Sequence, residues 1–186
     1  MRMKYLDRLL RDWRIKVANH YVRSNDKLLD IGCFDGHLFD VLKQKNIQSS
    51  IGLDPLLKET EKKGEHLLIP GSFPNDIPKD TTFDCIVLLA VLEHIPREQQ
   101  QLFNAEFFKF LNPSGRIIIT VPSPFVDQIL WVLKKLNLVD GMSLDEHYGF
   151  KTNEVFSLFD KKNYKLLKHK RFQFGLNNLF VFEKIE

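Results

Sequence analysis

The sequence predicts an α/β fold: a doubly wound, mostly parallel sheet of seven strands that ends in an antiparallel C-terminal hairpin, in three α/β/α layers. Two observations carry the prediction. Short apolar runs alternate with helical or turn segments along most of the 186 residues, as in βαβ units. The first of these runs, Leu28-Leu29-Asp30-Ile31, stops at a turn bracketed by Gly32 and Gly36, which brings bare backbone to the carboxyl edge of a parallel sheet. Open α/β folds bind ligands at that edge.

The elements follow in order. An opening helix over residues 3–22, within an N-terminal segment 1–24, places Leu6, Leu9, Leu10, Trp13, Val17 and Tyr21 on one face at spacings of three and four. Strands are expected near 27–31, 49–53, 66–69, 83–89 and 115–121. A helix near 98–111 is expected to bury Leu102, Phe103, Phe107, Phe110 and Leu111, and Asn112-Pro113-Ser114-Gly115 breaks it. Phe125 to Val139 aligns Val126, Ile129, Leu130, Leu133 and Leu136 on one helical face, with packing on the sheet favoured over a pocket wall or contact with a lipid-linked acceptor. Two last strands, near 164–173 and 178–184, flank Gly175-Leu176-Asn177-Asn178 and suit a hairpin. No repeat or second domain is visible, so 1–186 reads as one domain.

Composition excludes several classes. With 44% hydrophobic and 27% charged residues the chain is neither disordered nor membrane-spanning, and without an apolar signal-peptide core the expected location is cytoplasmic. Cys33 and Cys85 lack metal-site spacing, no metal is expected, and Cys85 reads as a buried small hydrophobe. A net charge of +3 is too small to announce a nucleic-acid binder. The lysines near the C-terminus alternate across both faces of a strand and read as protection of a sheet edge. Oligomeric state is not legible.

In a dinucleotide register G-x-G-x-x-G, the turn has Gly32 but Phe34 and His37 in place of the other two glycines. What remains is D-x-G-x-x-x-G, from Asp30 to Gly36. It resembles motif I of the class I S-adenosylmethionine-dependent methyltransferases, usually D-x-G-C-G-x-G. Further motifs follow in order: Ile51-Gly52-Leu53-Asp54-Pro55 resembles the second strand with its ribose-binding acid. Phe83 to Ile95 resembles the fourth strand and the V-L-E-H-I signature, and Gly115 to Pro122 resembles the fifth strand. The resemblance implies a Rossmann-like fold and S-adenosyl-L-methionine as cofactor, with S-adenosyl-L-homocysteine as product.

S-adenosylmethionine offers an ammonium, a carboxylate, a sulfonium, a ribose diol and an adenine. By resemblance, Asp30 faces the ammonium, Gly32, Cys33, Phe34 and Gly36 form the surrounding turn, and the Asp54 carboxylate, followed by Pro55, accepts the ribose hydroxyls. Ser72 takes the place of the usual adenine-binding acid, with the Phe73 N–H reaching the ring and Asp76 as the alternative acid; Leu89, in the fourth motif strand, is counted with the cofactor-binding residues. Phe34 replaces the family's middle glycine. If the left-handed backbone is kept there, phenylalanine carries about 1–3 kcal/mol of strain. A shifted turn that still binds is favoured over a degenerate site, because Asp30, Gly32, Gly36 and Asp54 survive together.

Methyl transfer needs alignment and exclusion of water, and a base only for a protonated acceptor. Glu93 and His94 follow the fourth motif strand, and His94 is the first candidate base. His147, in the connection 123–152 that covers the acceptor in relatives of this type, is the second, with Tyr148 as a pocket wall. The chain lacks an Asn/Asp-Pro-Pro-aromatic run after the fourth strand, a Pro-Cys nucleophile and a paired-glutamate loop. These absences argue against methylation of nucleobase amino groups, pyrimidine rings and protein arginines. The leading reading is methyl transfer to an O or N atom of a small-molecule acceptor. A non-catalytic cofactor-binding or partner protein on the same fold, and an RNA methyltransferase, are the alternatives.

Overall fold

The computed structural model describes residues 4–123 and 152–185. The elements are α1 (Tyr5–Asn19), β1 (Leu28–Ile31), α2 (His37–Leu42), β2 (Ile51–Asp54), β3 (Glu61–Lys63), β4 (His66–Pro70), β5 (Phe83–Leu89), α3 (Arg97–Phe110), β6 (Leu111–Pro122), α4 (Glu154–Leu158), β7 (Tyr164–Phe172) and β8 (Asn177–Lys184). The sheet order is β3-β4-β2-β1-β5-β6-β8-β7. β4, β2, β1, β5 and β6 run parallel, and β8 and β7 add the antiparallel hairpin. The chain steps outward from β1 through β2 to β4 and then crosses to β5 on β1's other side. That reversal makes β1 and β5 the switch point, where a crevice opens beyond the strand ends.

The sheet has eight strands where seven were expected. The added β3 is the charged triplet Glu61-Lys62-Lys63, held antiparallel against β4. Its strand character comes from that pairing, since it has no apolar alternation to read.

Strands buried on both faces read as continuous apolar runs. In β5, Cys85 and Val87 pack beneath α1 and α2, whereas Ile86 and Leu88 pack beneath α3 and α4. Leu179 and Val181 of β8 follow the first face, and Phe180 and Phe182 the second. Cys85 is fully enclosed, as anticipated. β7 sits at the sheet edge, the place its lysines suggested.

Two predicted faces are corrected. In α1 the fully buried stripe is Ile15 and Ala18, continued by Val22, whereas Leu9 and Trp13 are exposed. The helix is turned because Ile15 and Ala18 meet the sheet, and Trp13 instead packs edge-on to Phe174 in the β7–β8 turn. In α3, Phe103 and Phe107 enter an aromatic cluster with Phe73, but Leu102 remains 58% exposed beside it. The predicted break at 112–115 is already inside β6, which begins at Leu111 with an irregular register against β5. The Phe125–Val139 face, His147 and Tyr148 lie outside the described residues. Among the described residues, no helix is long and apolar enough to cross a membrane.

Candidate functional site

The strand register assembles most of the proposed residues at one edge. Asp30 is the last residue but one of β1, beside Gly52 of β2 and Val87 of β5, and Asp54 ends β2 beside Pro70 of β4. Gly32 and Cys33 both donate main-chain N–H bonds to the Leu53 carbonyl, at 2.7 and 3.3 Å, which folds the turn back over β2. Gly32 has φ +77°, and a Cβ there would lie 2.3 Å from Val91 Cγ2. Only glycine satisfies both the conformation and the contact.

Asp30 is buried, and its carboxylate receives no hydrogen bond from a described residue. Burial, then the nearby charges of Asp54 and Asp35, push its pKa up to about 8. An enclosed acid of this kind is costly when ionised and calls for a cation or hydrogen-bond donors from outside the fold.

Asp54 is placed differently. Its Oδ2 accepts the Phe34 N–H and its Oδ1 the Leu56 N–H, at 2.8 and 2.9 Å. Each oxygen therefore has one main-chain partner and one remaining acceptor direction. The first of these bonds fixes Phe34, which keeps the left-handed backbone, at φ +50°. Its ring is turned outward, 48% exposed, over a cavity of about 240 Å³ that Asp35, Asp54, Leu56, Leu57 and Glu61 also line. Thus the turn is not displaced by the phenylalanine; the left-handed conformation survives with the strain that this entails. Pro55 is exposed beside it.

The other candidates contribute unequally. The Cys33 side chain is buried against the open face of Gly52, so toward a ligand it offers main chain only. The Ser72 N–H donates to Asp76 Oδ2 at 2.8 Å, and the Asp76 carboxylate also fills the space over Gly71. Asp76 is therefore a brace for this loop. The Phe73 ring is buried among Phe103, Phe107 and Phe110, which leaves its backbone alone facing outward chemistry. Leu89 is half-buried at the end of β5, paired with Thr120. Glu93 is buried and His94 half-buried in the short turn Leu92–His94 that follows.

Two further groups were not anticipated. Arg14 of α1 has an enclosed Nε without a hydrogen-bond partner; burial lowers its pKa, and the charge of Glu93 opposes that lowering. Its signal was present: it stands four residues after Leu10, inside the apolar side of the helix. Thr120, fully buried in β6, has an Oγ1 without a partner. α1 is tied to the motif turn by Arg11–Asp35 at 3.2 Å and His37–Asp12 at 3.3 Å, and to the hairpin by Gln173 Nε2 donating to the Leu10 carbonyl at 2.7 Å. The N-terminal half of the helix thus links the motif turn to the hairpin at the carboxyl edge.

Comparison with known proteins gives a consistent picture. The pattern of a methyltransferase-domain family matches residues 3–178. The carboxy-S-adenosyl-L-methionine synthase of Histophilus somni is 23% identical over 154 residues, covering 75% of this chain and 59% of that protein. The chain thus spans about three fifths of that curated relative's length. A methyltransferase solved in complex with the Haloferax volcanii Trm112 activator superposes with a TM-score of 0.70 at 15% identity, over 100% of both chains. A Listeria monocytogenes protein described as an S-adenosylmethionine-dependent methyltransferase gives 0.71 at 11% identity, over 95% of this chain and 100% of that one.

Proposed function

From the premise that the chain belongs to the class I S-adenosylmethionine-dependent methyltransferase family, we propose that it moves a methyl group from S-adenosylmethionine to an O or N atom of a small-molecule acceptor. The observation that carries the cofactor half of this reading is Asp30, a buried carboxylate without a partner among the described residues, at the switch point of the sheet. A cationic ammonium suits that position. The residues present fit the rest of the cofactor: Asp54 retains acceptor directions for a ribose diol, and the enclosed Arg14 Nε offers a donor to a carboxylate. The curated relative's name specifies a carboxylated S-adenosylmethionine, so it points to the same ligand class.

When bound, the cofactor supplies a sulfonium-activated methyl group. The chain's own task is then positioning and exclusion of water. Gly32 and Val91 pack the turn tightly enough to fix the main chain around the donor end. For a hydroxyl acceptor, His94 takes the proton, and His94→Ala lowers turnover by about 10²–10⁴-fold with cofactor affinity unchanged. For an acceptor that is already nucleophilic, no such loss follows.

Calorimetric titration with S-adenosylmethionine and S-adenosylhomocysteine, then a methyl-transfer screen against a metabolite extract, tests the reading. Neither ligand binding would sink it. That outcome favours the non-catalytic alternative, which draws on one observation: both Asp54 oxygens already hold main-chain N–H groups.

A further inference from the structure

A second cavity, of about 290 Å³, opens where β6 and β7 end and β8 begins, on the side of the switch point away from β2. Its floor is a directed chain of hydrogen bonds. The Ser123 hydroxyl donates to the Gly175 carbonyl at 2.6 Å, so its oxygen is free to accept Asn178 Nδ2 at 2.9 Å. With its amide so oriented, Asn178 turns Oδ1 toward His169 Nε2 at 3.1 Å, which places a hydrogen on that ring nitrogen. The His169 ring is stacked on Phe180 with centroids 4.3 Å apart and meets Phe156 edge-on. Asn178 and Ser123 are buried, so this arrangement is built into the fold.

Arg171 stands directly across the hairpin from Asn178, two residues from His169 and on the same face of β7. It makes no ion pair or hydrogen bond with a described residue, and none of the described lining residues is acidic. Glu154, the acid nearest in sequence on α4, is engaged by Arg97 at 3.1 Å. Lys168 and Lys170 alternate onto the opposite face of the strand. What remains at the cavity is an exposed guanidinium without a partner among the described residues, beside an imidazole held by a buried amide. A planar fork of donors matches a carboxylate or a phosphate group.

We propose that this cavity binds the anionic group, carboxylate or phosphate, of the methyl acceptor, with Arg171 as the principal contact and His169 beside it. The inference rests on the methyltransferase reading and narrows its substrate class to small anionic acceptors. A volume of about 290 Å³ takes the anionic group together with part of the acceptor's body, and the methylated atom is assigned to the part that extends toward β5.

The test uses the full chain at constant ionic strength with inorganic phosphate and benzoate as probes, followed by calorimetry and thermal melting. The expected result is saturable binding of at least one probe, weakened about tenfold or more in Arg171→Gln and partly restored in Arg171→Lys, the change that keeps the charge but loses the fork. Phosphate alone identifies a phosphorylated acceptor, and benzoate alone a carboxylic acid. Absence of binding by both probes, or equal binding by wild type and Arg171→Gln, overturns the inference. A parallel titration with S-adenosylmethionine keeps the two readings apart. Probe binding without cofactor binding removes the methyltransferase reading and leaves an anion site, whereas cofactor binding without probe binding removes this inference alone.

Discussion

The two sides of the switch point are built by different means and carry opposite charge. Beyond β1 and β2 the site is acidic and is made from one continuous turn, Asp30 to Gly36, plus Asp54; its shape comes from main chain held in left-handed conformations at Gly32, Phe34 and Gly36. Beyond β6, β8 and β7 the one charged group among the described lining residues is the Arg171 guanidinium, and the site is made from side chains of separate strands and a helix, with Arg171 and the His169 ring over a buried amide and hydroxyl. The first region is suited to a ligand whose form does not vary, because backbone geometry leaves little room for adjustment. The second can change its preference through one or two side chains without disturbing the fold. On the two proposals taken together, the first region takes an invariant donor and the second a variable acceptor.

The largest effect should come from Gly32→Ala. The new Cβ meets Val91 Cγ2 at 2.3 Å and the residue must hold φ +77°, so left-handed strain of about 1–2 kcal/mol and overpacking of about 1–3 kcal/mol act together. Cofactor affinity should fall with stability. Gly175→Ala is the matched control on the other side: it has φ +84° but no atom within 4 Å of the added Cβ, so only the strain is expected. Chemical denaturation of both variants decides the matter. Equal losses would mean that the crowding at Val91 relaxes without cost.

Asp30 comes next. Replacing it with alanine should weaken S-adenosylmethionine by about 1.5–3 kcal/mol, the range for hydrogen bonds to charged groups. Stability should move the other way. Because burial holds the folded pKa near 8 and the unfolded chain ionises near 4, the folded protein binds the extra proton between those values. Stability without ligand therefore falls as pH rises through that window and levels off above it. Asp30→Asn should remove the slope, and melting curves across that pH range measure it. A wild-type profile parallel to that of Asp30→Asn would show that the acid is not the buried, unpartnered group described above.

Asp54→Ala should weaken the cofactor by a comparable amount, but unlike a surface aspartate it also supports the fold. Its loss frees the Phe34 and Leu56 N–H groups, which lie at the surface where water replaces the carboxylate, so the cost is that of ordinary hydrogen bonds, about 0.5–1.5 kcal/mol. Asp54→Asn keeps an acceptor and should recover part of that stability while recovering less affinity. If Asp54→Ala binds S-adenosylmethionine as tightly as wild type, the carboxylate serves the turn alone and the ribose assignment fails.

How far the two regions could be read from sequence follows from the same contrast. The turn was legible because its constraints are local: an acid, two glycines and their spacing stand within seven residues, and strand β5 was bounded correctly because every residue from Phe83 to Leu89 except Asp84 is apolar. The cationic cavity was not legible, since Ser123, Phe156, His169 and Asn178 meet only after β6, β8 and β7 pair, and the β7 charges read on their own as edge protection. β3 was missed for the same reason in miniature, its strand character being supplied by β4. The facing of α1 was misread because Leu9 and Trp13 looked like core, whereas Ile15 and Ala18 reach the sheet.

The smallest effect, and the finest test of the comparison, is Phe34→Gly. The residue keeps φ +50° without any steric need for its exposed ring, so glycine relieves about 1–2 kcal/mol of strain. Glycine also gives back about 0.4–1 kcal/mol through the greater freedom of the unfolded chain, leaving a small net gain in stability. Its N–H still donates to Asp54, so the main-chain frame of the donor site persists. Affinity for S-adenosylmethionine should hold or rise slightly, because the ring borders the cavity beside Asp54 without being held by the core. A marked loss of affinity in calorimetry, with stability unchanged, would mean that the ring itself forms a wall for the ligand. The acidic side would then resemble the cationic side in depending on a side chain for its specificity, and the proposed division between a donor site made of backbone and an acceptor site made of side chains would not hold.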